Sequence, residues 1–367
     1  LPNTWALTQL QISYASAFVK RGFLGEILRL LNVRSVRGVQ AFCMLELAIL
    51  LGLLAILTQR SKLLSAEKNS FLVCAFAGSY VVTFLGHLDG YHDIALYALA
   101  IAVVIIPKPR VRLAIAGPLC VVALLIHENF LLTALPTILL SFEVDRRSGR
   151  TAQMSWFRPA FLVILSLIVA CGLSIQPSLS VEQLGRFKES VAAHSEYPVA
   201  PGVFDVLGMS TLSNMSLNLH VIAHNYWWWV ESLVAFAVLG PILWLLLRAS
   251  LEGIHERMYR VSILVAGLAP LALNVIAWDN VRWVALSGLS SYINLCVLSR
   301  REPTVAASHA PGESYAAILV LGLGLASGHG LMDRQSINPY PFFPKLIRSA
   351  VVSHDGVAGE VLGNDRE

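Results

Sequence analysis

Four short runs of this sequence place acids, imidazoles and guanidiniums against apolar neighbours. In Ile126-His127-Glu128-Asn129-Phe130 a His-Glu pair has apolar sequence on both sides. Ionisable groups there must face protein or a wet cavity. Either the pair is a satisfied bond between helices, or Glu128 is an acid or base and His127 a donor to substrate. His87-Leu88-Asp89-Gly90-Tyr91-His92-Asp93 offers two carboxylates and two imidazoles. It reads as a polar turn with Asp93 capping the next helix, or as a catalytic base at Asp89 or Asp93. A divalent metal there has no further ligand legible in the sequence. Trp278-Asp279-Asn280-Val281-Arg282-Trp283 sets Asp279 and Arg282 one helical turn apart. That spacing suits an ion pair, or a phosphate held by Arg282 with Asp279 orienting it. Phe18-Val19-Lys20-Arg21-Gly22 opens a stretch in which Lys20 and Arg21 meet lipid headgroups or a pyrophosphate, with Gly22 and Gly25 permitting close approach.

Such groups need elements to hold them, and the rest of the chain is apolar. Of 367 residues 56% are hydrophobic and 14% charged, with a mean hydropathy of +0.65. Runs of this length cross a hydrocarbon core of roughly 30 Å as helices, the form that pairs every backbone group internally. About ten crossings are expected, at 38–57, 70–86, 94–107, 112–126, 130–143, 159–176, 226–247, 261–278, 284–299 and 314–332. The fold class is all-α: a polytopic membrane domain over residues 1–367. It divides into an outer amphipathic segment (1–37), a six-helix part (38–176), a long extracytoplasmic loop (177–225), a four-helix part (226–332) and an outer tail (333–367). The pair of segments around His127 has an alternative reading as one broken or re-entrant element, since Pro118 and Pro136 interrupt it.

Basic residues set the orientation. Arg60, Lys62 and Lys68, then Lys108, Arg110 and Arg112, then Arg146, Arg147 and Arg150 fall in alternate connections, followed by Arg248, Arg257, Arg260, Arg300 and Arg301. Those connections are expected in the cytoplasm, and the ones holding Asp89, His127 and Asp279 outside. The basic residues of 1–37 run against this pattern and suit an interfacial helix on anionic headgroups. A chain that opens on Leu1 is expected to be a piece of a longer precursor, with a first membrane helix ahead of it. The net charge of +4 gives no case for nucleic acid. Five cysteines lie in five separate apolar runs without metal spacing, and read as packing residues. No Gly-rich phosphate loop points to a nucleotide.

Basic–aromatic edges, an outer Asp/His/Glu set and a long outer loop resemble bacterial surface-polysaccharide membrane proteins: the polyprenyl-dependent glycosyltransferases of the C-type membrane fold and the O-antigen polymerase or ligase group. The loop run Leu184-Gly185-Arg186-Phe187-Lys188-Glu189, then Pro198, Gly202, His224-Asn225 and a helix with Glu231 and Gly240, is similar to the second group's pattern. It departs at Glu231, which lacks the glycine expected after it. The resemblance implies that Arg186 and His224 contact a lipid pyrophosphate or assist transfer. The C-type fold implies a catalytic acid in the first outer loop, and here the chain departs from it, since residues 1–37 offer only Glu26. The expected activity is therefore transfer or polymerisation of sugars carried on a polyprenyl (di)phosphate, at the outer face of a bacterial inner membrane, without cofactor. Catalysis is expected of Asp89, Asp93, His127 and Glu128, and phosphate binding of Lys20, Arg21, Arg186, His224, Asp279 and Arg282. The expected partners are the lipid-linked sugar and membrane lipids. The alternatives are a transporter or flippase using the same His and Glu, and a non-catalytic envelope scaffold.

Overall fold

The computed structural model describes residues 4–15, 18–61, 63–65, 67–88, 90–148, 157–175, 180–195, 199–209, 211–277, 279–300 and 320. The described secondary structure is helical throughout. It consists of α1 (Thr4–Gln9), α2 (Phe23–Leu30), α3 (Val36–Arg60), α4 (Glu67–Ala77), α5 (Tyr80–His87), α6 (His92–Val104), α7 (Pro109–Ile126), α8 (Leu135–Arg147), α9 (Phe157–Ile175), α10 (Val181–His194), α11 (Pro201–Gly208), α12 (Thr211–His224), α13 (Tyr226–Leu251), α14 (Arg257–Leu268) and α15 (Asn280–Ser299). Turns of 3-10 helix follow α3, α7 and α14, at Leu63–Ser65, Glu128–Leu131 and Ala269–Val275.

Five stretches are long and apolar enough to cross a membrane among the described residues: Val36–Arg60, Pro109–Ile126, Trp228–Leu251, Arg257–Val275 and Asn280–Ser299. Their neighbours leave large apolar side chains uncovered. Helix α3 exposes Met44, Leu45, Ile49 and Leu51; α9 exposes Phe161, Ile164, Leu167 and Ile168; α13 exposes Leu233 and Phe236. Water would penalise such continuous surfaces, whereas acyl chains solvate them. The chain is a helical membrane protein. Helix α15 is its axle, with Arg282 through Ser299 all buried and α13, α14, α8 and α5 packed around it.

The expected crossings are met in part. The run 70–86 is two helices, because Ser79 takes an extended backbone (φ −76°, ψ 159°) and its hydroxyl donates to the Phe76 carbonyl at 2.7 Å. The run 94–107 is the thirteen-residue α6, which stops ahead of Pro107. The run 130–143 is likewise divided: a 3-10 turn precedes α8, whose first turn holds Pro136. Residues 177–225 hold three helices, the first opened by a capping box of Ser180 and Gln183. The tenth run, 314–332, falls outside the described residues apart from Val320, as does the tail 333–367.

Arginines mark one end of the bundle. Arg60 donates to the Ile105 carbonyl (3.2 Å) and Arg300 to that of Val104 (3.4 Å). Arg112 reaches Ile106, Ser141 and Asp145. Arg147 bridges Glu143 and Glu256 and lies 4.2 Å over the Tyr259 ring. Helices α3, α6, α8 and α15 all arrive at this end, whereas α7 and α14 leave it. The opposite end therefore gathers the starts of α6 and α15 and the turn after α7. A small apolar cap joins it, in which Ile12 and Val19 pack with Phe187, Val191, Val203 and Phe204 of α10 and α11, and the Thr8 hydroxyl accepts the Ala200 N–H at 2.9 Å.

Candidate functional site

All four polar runs meet in one chain of contacts at that opposite end. Helix α7 stops where His127 turns extended (φ −165°, ψ 134°). Its Nδ1 accepts the Asn129 N–H at 3.1 Å and starts the 3-10 turn, which leaves the ring proton on Nε2. Burial, reinforced by the Arg21 charge, pushes the His127 pKa well below the ordinary histidine value, so the ring is neutral. Glu128 Oε2 lies 3.4 Å from the same Nδ1. Arg21 donates from Nε to Glu128 Oε2 at 3.2 Å and from a terminal nitrogen to Oε1. Partial burial would raise the Glu128 carboxyl, 41% exposed as a side chain, but the Arg21 charge opposes it, and the carboxyl is held below the usual carboxylate range.

Behind His127 the His92 ring stands edge-on, with centroids 5.8 Å apart and planes at 71°. His92 is 1% exposed, and neither ring nitrogen has a hydrogen-bond partner. The next residue, Asp93, is fully buried and accepts Arg282 Nε at 2.7 Å and a second Arg282 nitrogen. Asp279 approaches the same guanidinium from the other side at 3.6 Å. Burial raises the Asp279 pKa despite that neighbour. The Arg282 guanidinium also lies 4.8 Å from the Tyr91 ring centroid and 4.7 Å from that of Trp283. Arg21, Glu128, His127 and His92 thus form one arm, Asp93, Arg282 and Asp279 the other, and the peptide bond between His92 and Asp93 joins them.

The Arg21 arm opens on a cleft. Tyr14, Lys20, Arg21, Glu128 and Ser174 line it together with Phe18, Leu124, Leu125, Ala170 and Leu173, the last four from α7 and α9. Arg21 holds a left-handed backbone (φ 63°) that non-glycine residues rarely adopt. The segment before it is tied down by the Tyr14 N–H, which donates to Glu26 Oε2 at 3.1 Å. Arg29 clasps the same carboxylate and keeps its pKa below the usual range.

Gly22 and Gly25 permit a close approach, but by the protein itself. A Cβ on Gly22 would stand 2.6 Å from the Tyr14 ring, and one on Gly25 would stand 1.9 Å from the Ile12 carbonyl oxygen. Gly25→Ala must therefore push residues 10–14 away from α2, at a cost of about 1–3 kcal/mol. Limited proteolysis should then cut the variant between residues 10 and 21 faster than wild type. Equal rates would show that the contact does not hold the segment.

The remaining expected residues lie apart or unseen. Arg186 is 72% exposed on α10 and pairs with Glu182 at 2.6 Å. His224 is exposed at the end of α12, stacked on His220 with centroids 4.2 Å apart. Both sets of contacts are local to their own helices. Asp89 and Trp278 fall outside the described residues. Asp93 and Arg282, expected as a base and a phosphate donor, are committed to one another and buried. Among the described residues no group of three or more His, Cys, Asp or Glu could hold a metal ion. His92 was the residue to add to the sequence-derived set; its signal was its place beside Asp93 in the same run. Comparison with known protein families, characterised proteins and solved structures finds no match for this chain.

Proposed function

We propose that the protein is a membrane transferase that takes a sugar from a polyprenyl phosphate or diphosphate and passes it to a hydroxyl acceptor. The observation that carries this reading is the cleft, where Lys20, Arg21 and Glu128 line one space together with apolar side chains of α7 and α9. A ligand with an anionic head and a long apolar tail fits that polarity, since keeping the tail in an apolar groove avoids about 0.8 kcal/mol per exposed CH₂. The acceptor hydroxyl attacks the anomeric carbon, the bond from that carbon to the phosphate oxygen breaks, and the phosphate departs with the electron pair. Lys20 and Arg21 stabilise the departing charge, and Glu128 takes the hydroxyl proton. Arg21 couples the two events. A phosphate that draws the guanidinium off Glu128 also removes the charge that keeps its carboxyl acidic, and so makes it a better base.

The arginine-rich end belongs in the cytoplasm by the positive-inside rule, which puts the cleft at the outer face of what we take to be a bacterial inner membrane. In a protein freed of native cysteines, Cys at Arg186 should react with an impermeant maleimide from outside, and Cys at Arg257 from the cytoplasm. The reverse pattern would invert the site. Binding tests the ligand class. Wild-type protein in nanodiscs should bind a polyprenyl phosphate, and Arg21→Ala should lose affinity by about tenfold to 100-fold, the worth of charged hydrogen bonds of roughly 1.5–3 kcal/mol. Equal binding by the variant would remove the cleft from the account.

A further inference from the structure

Inside the bundle a second polar feature runs along α8 and α15, away from the cleft. Thr137, Ser141 and Asp145 of α8 recur every four residues, Thr133 stands four ahead of them in the turn before the helix, and each is at most 1% exposed. Residues four apart share one face of a helix, so this face, unlike its neighbours, is polar for its whole length. On α15, Ser287, Ser290, Ser291 and Asn294 likewise fall on one face and are at most 1% exposed.

The two faces meet in register. Near the charged cluster, Ser290 Oγ donates to the Thr133 carbonyl at 3.5 Å, and Tyr97 of α6 shares a 2.7 Å hydrogen bond with the Ser290 hydroxyl. At the arginine-rich end, Arg112, which holds Asp145 at 2.6 Å, donates to the Ile106 carbonyl, and Arg300 at the foot of α15 donates to that of Val104. The helices therefore run side by side in the same direction. Carried one turn on from the Ser290–Thr133 contact, that parallel register sets Asn294 opposite Thr137.

In this seam several groups lack partners. Thr137 Oγ1, Ser287 Oγ, Ser291 Oγ and both side-chain amide atoms of Asn294 are buried without a hydrogen bond. A buried amide with neither donor nor acceptor engaged is costly, and more so in hydrocarbon than near water. Ser291 is the member of this face turned toward α14, where a Cβ on Gly267 would come within 2.7 Å of its Oγ. The named unpartnered groups are hydroxyls and a carboxamide, all uncharged and all able both to donate and to accept. That pattern suits water, which bridges about three otherwise unpaired groups; the carboxylate and guanidinium of this face, Asp145 and Arg112, are paired with each other at its arginine-rich end.

We propose that the seam between α8 and α15 binds a row of internal water molecules that satisfies Thr137, Ser287, Ser291 and Asn294 and continues the hydrogen bonds of Tyr97 and Ser290. The proposal goes beyond the transferase reading and does not depend on it. The water row also explains how a helix with this many polar groups serves as the buried axle of the bundle.

Radiolytic hydroxyl labelling in H₂¹⁸O tests it, because radicals made from bound water oxidise the side chains beside it whatever their exposure. Tyr97 on the seam is the reporter. Tyr292 is the control, equally buried on another face of α15, where its hydroxyl pairs with Thr58 at 2.7 Å and its ring stacks on Phe76. In the intact protein in nanodiscs Tyr97 should gain label several-fold faster than Tyr292. Asn294→Leu should bring Tyr97 down to the control rate, and Thr137→Val, which keeps the side-chain shape, should lower it if the leucine variant fails to fold. Equal labelling of the two tyrosines in wild type overturns the proposal, as does a Tyr97 rate unchanged in both variants. A melting temperature that rises with sodium but not with choline, and loses that response in Asn294→Leu, would also overturn it by marking a monovalent cation site.

Discussion

Glu128→Gln is expected to lower turnover by about 100-fold or more while leaving binding of the lipid-linked sugar close to wild type. The amide keeps the volume of the side chain and an oxygen that can accept from Arg21, so the cleft mouth retains its shape. What disappears is the ability to take a proton from the acceptor hydroxyl. Arg21→Ala should behave differently. It removes a donor that holds the phosphate in the ground state and the transition state alike, so affinity and rate should fall together, and Arg21→Lys should restore them in part because an ammonium lacks the planar fork. The split is read from single-turnover transfer and equilibrium binding on the same preparations. A Glu128→Gln enzyme that turns over at the wild-type rate would remove the proposed base.

Arg282→Ala should damage the fold more than the chemistry. Asp93 is fully buried, and its Oδ2 takes a hydrogen bond from Arg282 Nε and the approach of a second guanidinium nitrogen, so the variant strands a carboxylate inside the protein. Breaking a buried pair from one side costs about 3–5 kcal/mol, read as a lower denaturant midpoint in detergent. The double variant Asp93→Asn with Arg282→Met should recover much of the loss, because the uncompensated charge has gone. If the single variant is as stable as wild type, the Asp93–Arg282 pair is not what joins α6 to α15.

Much of this arrangement was legible in the sequence, and the reasons differ by residue. The apolar runs forecast helices at nearly every expected position because lipid leaves the backbone few other choices. The alternation of basic connections forecast that Arg60, Arg112, Arg147 and Arg300 share an end. The high cost of polar groups between apolar runs leads to the expectation that Arg21, Asp89, Asp93, His127, Glu128, Asp279 and Arg282 surround one outward cavity. Of these Arg21 and Glu128 line the cleft, His127, Asp93, Arg282 and Asp279 are linked to them by contacts away from it, and Asp89 lies outside the described residues. Other features depend on tertiary geometry. Asp93 and Arg282 lie 189 residues apart, and no local spacing pairs them, whereas the i,i+3 spacing of Asp279 and Arg282 made the weaker contact look like the main one. Gly22 and Gly25 announced a close approach, but only the fold shows that Tyr14 and Ile12 are what comes close. The break in 70–86 escapes a hydropathy reading because Gly78 and Ser79 cost little in apolarity yet separate α4 from α5. The seam along α8 and α15 hid among residues of moderate hydropathy, since one threonine or serine per turn hardly lowers a window average.

The transferase account is tested most directly by the lipid-linked saccharides of cells with and without the protein. Extracts from cells lacking it should hold an accumulated polyprenyl-linked precursor. Wild-type protein should return the pool to normal, and a stably expressed Glu128→Gln variant should not. An unchanged precursor pool in cells lacking the protein, with no redundant activity in their membranes, would contradict the account and return the same His and Glu residues to a transport or scaffold role.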